Sequence, residues 1–344
     1  MSAPAPVDEA RQEERGPDRS GSSPLWRTGL QRYAILAVFV VMIAVFGIDL
    51  PSTFLSIGNL SNILGLQAPL FILVMAVLLP TVVGDFVDLS LGSSLGLSAM
   101  TLAVLNVQHH TPVLLACLAG IIAAMVVGLI NVVFVVFFDN DPFIVTLGTM
   151  TIVQGVIYII SGSNSVGIVS GNLSSWVFTN DFLSIPLVFY YGLAIFLVVW
   201  YVLSFTPTGQ KALVIGQSRE VARLSGIRVN RQRSWAYIIG AAIAAIAGIA
   251  YAATNGTVDP TAGSALILPA YAAVFLGATA IKPGRINALG ALIAVYFLAT
   301  GTAGLELLGA QTYYQQIFYG AALVASVTIP KVNRDRFFKR RRTA

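Results

Sequence analysis

Long apolar runs alternate with short polar segments along most of this sequence. A helix that spans a membrane needs about 20 mainly apolar residues, and runs of that kind recur ten times. We therefore predict an all-α, polytopic membrane protein with about ten transmembrane helices. The predicted spans are Tyr33–Ile48, Ile63–Val83, Leu89–Val107, Val113–Phe138, Phe143–Ile160, Ile185–Phe205, Trp235–Thr254, Leu266–Ile281, Ile286–Ala303 and Tyr313–Ile329.

The composition supports a membrane protein. Hydrophobic residues make up 56% of the chain and charged residues only 10%, whereas soluble domains carry about 25% charged residues. So few charges cannot cover a water-exposed surface of this size, so lipid must be the solvent for most of the chain.

The basic residues fix a predicted orientation. All 20 Lys and Arg fall into four clusters, and none lies between Arg32 and Lys211. Cytoplasmic loops collect Lys and Arg, and an even number of predicted spans separates each cluster from the next. We therefore predict a multi-pass membrane protein with both termini in the cytoplasm. The clusters are Arg11–Arg32, Lys211–Arg233, Lys282 with Arg285, and Lys331–Arg342.

These patterns divide the chain into three parts. Residues 1–32 are polar and predict a disordered cytoplasmic tail, residues 33–329 form the transmembrane domain, and residues 330–344 form a basic cytoplasmic tail. Within the domain, the segments that begin at Asp85 and Lys282 lead into helices in a similar way and indicate an internal repeat. The predicted outer loop Ser161–Ile185 is either a platform for an extracytoplasmic partner or a flexible connector.

The sequence lacks the signatures of an enzyme. Cys117 is the only cysteine and the two histidines, His109 and His110, share a short predicted outer loop, which argues against disulfides and metal sites. Neither a phosphate-binding Gly-x4-Gly-Lys-Ser/Thr loop nor a His-Glu-x-x-His motif occurs. We expect no catalytic residue, no metal and no cofactor in this chain, so a separate subunit must hydrolyse any ATP.

Polar residues within or beside the spans are candidates for a translocation pathway, because such positions are costly in lipid. Their near lack of charge favours a neutral polar solute and argues against an ion-coupled carrier. The alternative is hydrogen bonding between helices, and Asp88 alternatively caps the third helix. The pathway candidates are Asp88, Ser90, Asn131, Thr146, Thr149, Gln154, Tyr158, Tyr271 and Thr279.

The predicted cytoplasmic loop 206–234 contains a short helix. Ser218 is a suitable N-cap, two helical turns follow, and Gly226 before Ile227 is a typical helix stop. We expect the helix to expose Val221, Ala222 and Leu224. It either inserts into a groove on a partner or lies on lipid headgroups.

Four stretches, in order, resemble the ABC transporter permeases that include the ribose, xylose and arabinose transporters, which are related to branched-chain amino acid permeases. Asp88-Leu-Ser-Leu-Gly-Ser is similar to the family's Asp-Leu-Ser-Val-Gly-Ser, and Asp141-Pro-Phe-Ile-Val-Thr-Leu-Gly-Thr to its Pro-Pro-Phe-Ile-Val-Thr-Leu-Gly-Thr. Ala222-Arg-Leu-Ser-Gly-Ile-Arg-Val and Asp259-Pro-Thr-Ala-Gly also match family motifs.

The resemblance implies a permease in the inner membrane of a bacterium that imports a sugar, such as a pentose, a hexose or a related polyol, by ATP-driven alternating access. It implies a second permease copy in a homodimer, a cytoplasmic ATPase that binds ATP-Mg, and an extracytoplasmic solute-binding protein. Membrane lipids surround it and no nucleic acid is expected. It also implies an ATPase-coupling helix formed by Ser218, Arg219, Glu220, Val221, Ala222, Arg223, Leu224 and Gly226.

The sequence departs from the family in one region. Where the family has Tyr-Glu-Leu-Asp-Ala-Ile-Ala-Ala-Val, this chain has Ala265-Leu-Ile-Leu-Pro-Ala-Tyr-Ala-Ala-Val. This chain therefore lacks both acidic residues of the family stretch, and Pro269 and Tyr271 are present instead. Other solutes therefore stay open, namely branched-chain amino acids, nucleosides and quorum signals, as does an ion-coupled secondary transporter.

Overall fold

The computed structural model describes residues 25–167, 185–282 and 284–342, which are mostly α-helical. Two strands of two residues each, β1 and β2, form a short antiparallel ribbon that pairs Val166 with Val258. In chain order the elements are α1 Leu25–Asp49, α2 Pro51–Phe54, α3 Ile57–Leu66, α4 Ala68–Val82, α5 Ser90–Val107, α6 Val113–Asn131 with a π-helix Val132–Phe137, α7 Pro142–Ser161, β1 Val166–Gly167, α8 Leu187–Phe205, α9 Pro207–Gln217, α10 Arg219–Leu224, α11 Val229–Asn255, β2 Thr257–Val258, α12 Ala262–Gly277, α13 Ala288–Leu307 and α14 Thr312–Arg342.

The polytopic helical fold is confirmed. In the described part of the chain, six helices are long and apolar enough to cross a membrane singly. The pair α3 and α4 also qualifies if it counts as one span bent by 40°, whereas α12 and the apolar part of α1 are shorter. Each predicted span coincides with a helix or a helix pair, but the number ten stays a prediction. The six are α5, α6 with its π-helix, α7, α8, α11 and α13.

Several boundaries differ from the prediction. Residues 25–32, placed in a disordered tail, form the start of α1, and α14 continues through the basic tail to Arg342. Arg, Lys and Gln are good helix formers, so a helix runs on where hydropathy ends. The second predicted span begins earlier, at Ile57, and breaks at Gln67, because Pro69 offers no N–H to a continuous helix. Most of the predicted loop Ser161–Ile185 lies outside the described residues.

Helices α4, α5, α11 and α12 form the centre of the bundle, and almost every residue of α4 is buried. Small residues allow backbones to touch there. A Cβ added to Gly248 of α11 would lie 2.3 Å from the Leu95 carbonyl oxygen of α5. The predicted stripe of small residues therefore marks a packing face. By contrast, α6, α7 and α8 expose apolar side chains on the outside of the bundle.

Long-range contacts define the two ends of the bundle. At one end, the charged end, Asp85 pairs with Arg219 and Arg233, which joins the α4–α5 loop to the central loop. At the opposite end, the ribbon end, β1 pairs with β2 and the Ser165 hydroxyl donates to Asp259 at 3.0 Å. Hydrogen bonds from Thr261, and then from Ser165, lower the pKa of the exposed Asp259 carboxyl. Helix α11 therefore runs from the charged end to the ribbon end, with Arg233 near its start and β2 directly after its last residues.

Candidate translocation and coupling sites

Asp88 organises the start of α5. The chain turns at Gly84, whose φ of +86° favours glycine. The Asp88 Oδ1 atom then accepts hydrogen bonds from the Ser90 N–H at 3.0 Å and the Ser90 hydroxyl at 2.6 Å. Asp88 therefore binds the first residue of α5, but it is not the N-cap that the sequence suggested, because Leu89 occupies that position and makes no side-chain cap hydrogen bond.

A chain of hydrogen bonds extends from Ser90 across three helices. The Asn131 amide of α6 donates to the Ser90 hydroxyl at 2.6 Å, and the Thr149 hydroxyl of α7 donates to Asn131 Oδ1 at 2.8 Å. The polar side chains on α5, α6 and α7 thus satisfy one another in an apolar setting, where an unpaired group is costly.

Two further contacts attach the loop before α5 to neighbouring helices. The Thr146 hydroxyl of α7 accepts from the Leu89 N–H at 3.2 Å, and the Tyr271 hydroxyl of α12 accepts from the Asp88 N–H. Six of the nine predicted pathway residues therefore form one connected cluster. We call this cluster the Asp88 network, and its members are Asp88, Ser90, Asn131, Thr146, Thr149 and Tyr271.

The Asp88 network is buried, with at most 8% of any member exposed. Its geometry is that of interhelical hydrogen bonding, the alternative raised by the sequence. Asp88 Oδ2 is buried and finds no hydrogen-bond partner in the described part of the chain. Asp88 lies in the loop between two spans, and burial raises the pKa of its carboxyl to about 7 despite the Ser90 hydrogen bonds.

Two other predicted pathway residues, Gln154 and Tyr158, line an open groove on α7. The groove has a volume of about 380 Å³, within the range of about 300–1,000 Å³ typical of small-molecule sites. The Gln154 side chain donates to the Pro260 carbonyl at 2.8 Å, which fixes the amide. No lining residue is charged. The lining residues are Leu147, Met150, Thr151, Gln154, Gly155, Tyr158 and Ser264.

The sequence missed Thr151 and Ser264 as groove residues. Thr151 follows the spacing of three and four residues that places Leu147, Gln154 and Tyr158 on one helix face, so that periodicity was a usable signal. Ser264 comes from α12, and nothing in the sequence places α12 beside α7. Thr279, the ninth candidate, joins neither group, because its hydroxyl donates to Leu276 O within its own segment at 2.7 Å.

The short helix in the central loop is confirmed as α10. The Ser218 hydroxyl accepts from the Val221 N–H at 3.3 Å, and Gly226 has a φ of +76°. The Ile227 N–H then bonds to the Ala222 carbonyl at 3.0 Å, which closes the helix.

One expectation for α10 is wrong. Val221 and Leu224 are 55% and 84% exposed, as predicted, but Ala222 is fully buried. Residues three apart share a helix face, whereas each step of one residue turns the side chain by about 100°. Ala222 therefore packs inward while its two apolar neighbours project outward.

A buried ion-pair cluster attaches α10 to the bundle. Arg233 of α11 binds Asp85 through two nitrogens, with Nε–Oδ2 at 2.9 Å and Nη2–Oδ1 at 3.1 Å. Arg219, the first residue of α10, pairs with Asp85 Oδ1 and donates to the Gly84 carbonyl at 3.2 Å. Sequence analysis treated Arg233 only as one of many basic residues. The usable signal was the acidic pair Asp85 and Asp88, which lies between two apolar spans and on the same predicted side of the membrane as the basic loop.

Among the described residues, no three His, Cys, Asp or Glu side chains come together in a group that could hold a metal ion. His109 and His110 are exposed in the α5–α6 loop, and Cys117 lies half-buried in α6.

The bundle of long apolar helices defines a polytopic membrane protein. The chain belongs to the family described as the permease component of branched-chain amino acid transport systems, whose family model matches residues 59–327. It is therefore a permease subunit rather than an enzyme. Membership implies a separate ATPase and a solute-binding protein as partners.

Curated relatives extend along most of the chain. A D-allose transport system permease protein of Escherichia coli is 28% identical over 88% of this chain and 92% of the relative. A ribose import permease protein of Bacillus subtilis is 32% identical over 71% of this chain and 76% of the relative. An autoinducer 2 import system permease protein of Salmonella paratyphi A is 30% identical over 93% of this chain and 98% of the relative. No solved structure matches the chain significantly.

Proposed function

We propose that this chain is the membrane-spanning subunit of a bacterial ABC importer that carries a neutral sugar, such as a pentose, a hexose or a related polyol, across the cytoplasmic membrane. The observation that carries the proposal is the uncharged groove on α7, whose mainly apolar lining includes a few polar side chains. The Gln154 amide and the Tyr158 hydroxyl supply hydrogen-bond partners, and the Tyr158 ring supplies a face for stacking. Sugar hydroxyls need both, and they need no charge.

The relatives support the same class of solute. Their names specify D-allose, ribose and autoinducer 2. The family name specifies branched-chain amino acids, but an amino acid carboxylate would favour a cationic partner. The lining of the groove contains none. Autoinducer 2 is the second candidate, because a relative named for it is 30% identical over most of this chain.

A second copy of the chain closes the groove in this proposal. Gly148 and Gly155 on the same face of α7 have nothing within 4 Å of an added Cβ, and Tyr158 is 39% exposed. Small and polar residues on an outer helix face suit close contact with another helix better than contact with lipid. A homodimer would place two such faces across one central pathway. Lipid would cover the apolar outer faces of α6 and α8.

The charged end faces the cytoplasm in this proposal, and the ribbon end faces the solute-binding protein. Basic residues concentrate near the charged end, where α10 exposes Val221 and Leu224. These side chains suit a groove on the ATPase, which would bind ATP-Mg. Closure of the ATPase would move α10 and open the pathway alternately to the two sides.

Uptake into proteoliposomes tests the proposal. Vesicles would contain this chain and its cognate ATPase, with the binding protein supplied in the compartment that the ribbon end faces. Labelled ribose, allose and a wider panel of pentoses and hexoses would be offered with and without ATP. We expect ATP-dependent uptake of at least one sugar. If autoinducer 2 or an amino acid is taken up with ATP and no sugar is, the transported solute is that compound and not a sugar. Uptake driven by an ion gradient without ATP would overturn the ABC mechanism.

A further inference from the structure

We propose that Asp85 is a positioning residue that transmits movement of α10 to the Asp88 network, with Arg219 and Arg233 as its partners. This inference rests on the proposed function, because it assumes that α10 receives its movement from an ATPase. It adds a route by which that movement reaches the helices that carry the groove.

Asp85 is shared between two elements. Its carboxylate binds Arg233 through two nitrogens and Arg219 through one. Arg233 is 1% exposed and belongs to the long central helix α11, whereas the Arg219 side chain is 36% exposed and begins the six-residue α10. Asp85 thus links the exposed helix α10, which would contact the ATPase, to the largely buried helix α11, which would not.

Backbone contacts hold the same loop against the central loop. A Cβ added to Gly216, near the end of α9, would lie 2.2 Å from the Val82 carbonyl oxygen. A Cβ on Gly84 would lie 3.3 Å from the Gly216 Cα. With the Arg219 bond to the Gly84 carbonyl, these contacts leave residues 82–85 no free space next to α9 and α10. A displacement of α10 must therefore carry the loop with it.

The loop leads directly into the Asp88 network. Asp88 is three residues after Asp85, and its main-chain N–H and its carboxylate are bound to Tyr271 and Ser90. The network continues through Asn131 to Thr149 on α7. Helix α7 also carries the groove residues Thr151, Gln154 and Tyr158. The contacts therefore form an unbroken physical route from α10 to the groove, and packed side chains and hydrogen-bond networks of this kind can carry energetic coupling between distant sites.

The energetics favour a rigid link. A carboxylate that accepts bidentate bonds from Arg is held in both position and orientation, and removal of one partner from a buried pair leaves an uncompensated charge. Loss of Arg219 is the milder change, because the Asp85–Arg233 pair remains intact. Arg219→Gln should therefore fold normally and separate α10 from the loop.

A thiol placed in the groove gives a test that needs no knowledge of the cargo. The reference protein carries Cys117→Ser and Thr151→Cys and is assembled with its ATPase in lipid nanodiscs. The rate of labelling by a water-soluble maleimide is measured with and without a non-hydrolysable ATP analogue. We expect the analogue to change the rate by about fivefold or more, within the usual range of coupling between sites. In Arg219→Gln that change should fall below about twofold.

Two further variants complete the test. Asp85→Asn should lose the response like Arg219→Gln, whereas Asp139→Asn should keep it. Asp139 also faces Arg233, at 3.6 Å, but is 73% exposed. Thermal unfolding and binding of the ATPase are measured for each variant, because a merely structural defect would lower both.

The possible outcomes are distinct. A normal nucleotide response in a correctly folded Arg219→Gln protein would overturn the inference, even if Asp85→Asn fails to fold. A reference protein that binds its ATPase but shows no response to nucleotide would instead contradict the proposed function. A loss of response in Asp139→Asn as well would show that any charge near Arg233 matters, and would remove the special role of Asp85.

Discussion

Gly263 of α12 lies directly against Gly92 of α5: a Cβ added to Gly263 would be 2.1 Å from the Gly92 carbonyl oxygen. Real Cβ atoms do not approach backbone oxygen so closely, and both helices are in the centre of the bundle. The contact places the start of α12 beside α5 and so brings Ser264 to the groove on α7.

Substitution of Gly263 by alanine should therefore destabilise the protein by about 1–3 kcal/mol, the usual cost of overpacking a dense core. Thermal unfolding in detergent measures the effect. Gly320→Ala on α14 is the matched control, since nothing lies within 4 Å of its added Cβ, and it should not lower the melting temperature, because alanine favours a helix over glycine. Equal stability of the two variants would contradict the close packing of α5 and α12.

Asp88→Asn should stabilise the protein in a manner that depends on pH. The carboxyl has a pKa of about 7 in the folded protein and about 3.9 in an unfolded chain. Between these values the folded state keeps a proton that the unfolded state releases, so the free energy of unfolding falls as pH rises.

The asparagine side chain does not titrate and can still accept from Ser90 through its oxygen. The gain in melting temperature of Asp88→Asn over the wild type should therefore grow from about pH 4 to about pH 7 and then level off. Thermal unfolding at several pH values measures it. A difference between the two proteins that stays constant across this range would rule out a buried, titrating Asp88.

Leu224→Asp should uncouple transport from ATP hydrolysis. The leucine is 84% exposed on α10, and an aspartate there would put an unpaired charge into an apolar contact with the ATPase. ATP-driven uptake should fall by at least about tenfold, with normal membrane insertion. Leu308→Asp, at an exposed leucine between α13 and α14, is the matched control. Normal uptake by Leu224→Asp would show that α10 is not the coupling helix.

Tyr158→Ala should lower uptake of the transported sugar without an effect on folding or on ATPase binding. The side chain lines the groove and is 39% exposed, so its removal costs a hydrogen-bond partner and a stacking face rather than core packing. Tyr201→Ala on α8 is the control, because that tyrosine is 59% exposed and lies outside the groove. Equal uptake by both variants would show that the groove is not on the solute's path.

The sequence determined the features that depend on local chemistry. Apolar runs located the helices, because lipid demands about 20 apolar residues wherever a chain crosses it. Ser218 and Gly226 predicted α10 correctly, because caps and stops act within a few residues. The predicted helix ends were less accurate. Hydropathy indicates where the chain leaves lipid, but a helix ends at its last backbone hydrogen bond, which can lie several residues further on.

The contacts between polar residues from distant parts of the chain depend on how the helices pack. Arg233 binds Asp85 across 148 positions, and Tyr271 binds the Asp88 N–H across 183. Hydropathy gives the depth of a residue in the membrane but not the rotation of its helix or the identity of its neighbour. In three dimensions, eight of the nine predicted pathway residues therefore separated into a buried network that joins helices and an open groove on α7, and Thr279 joined neither.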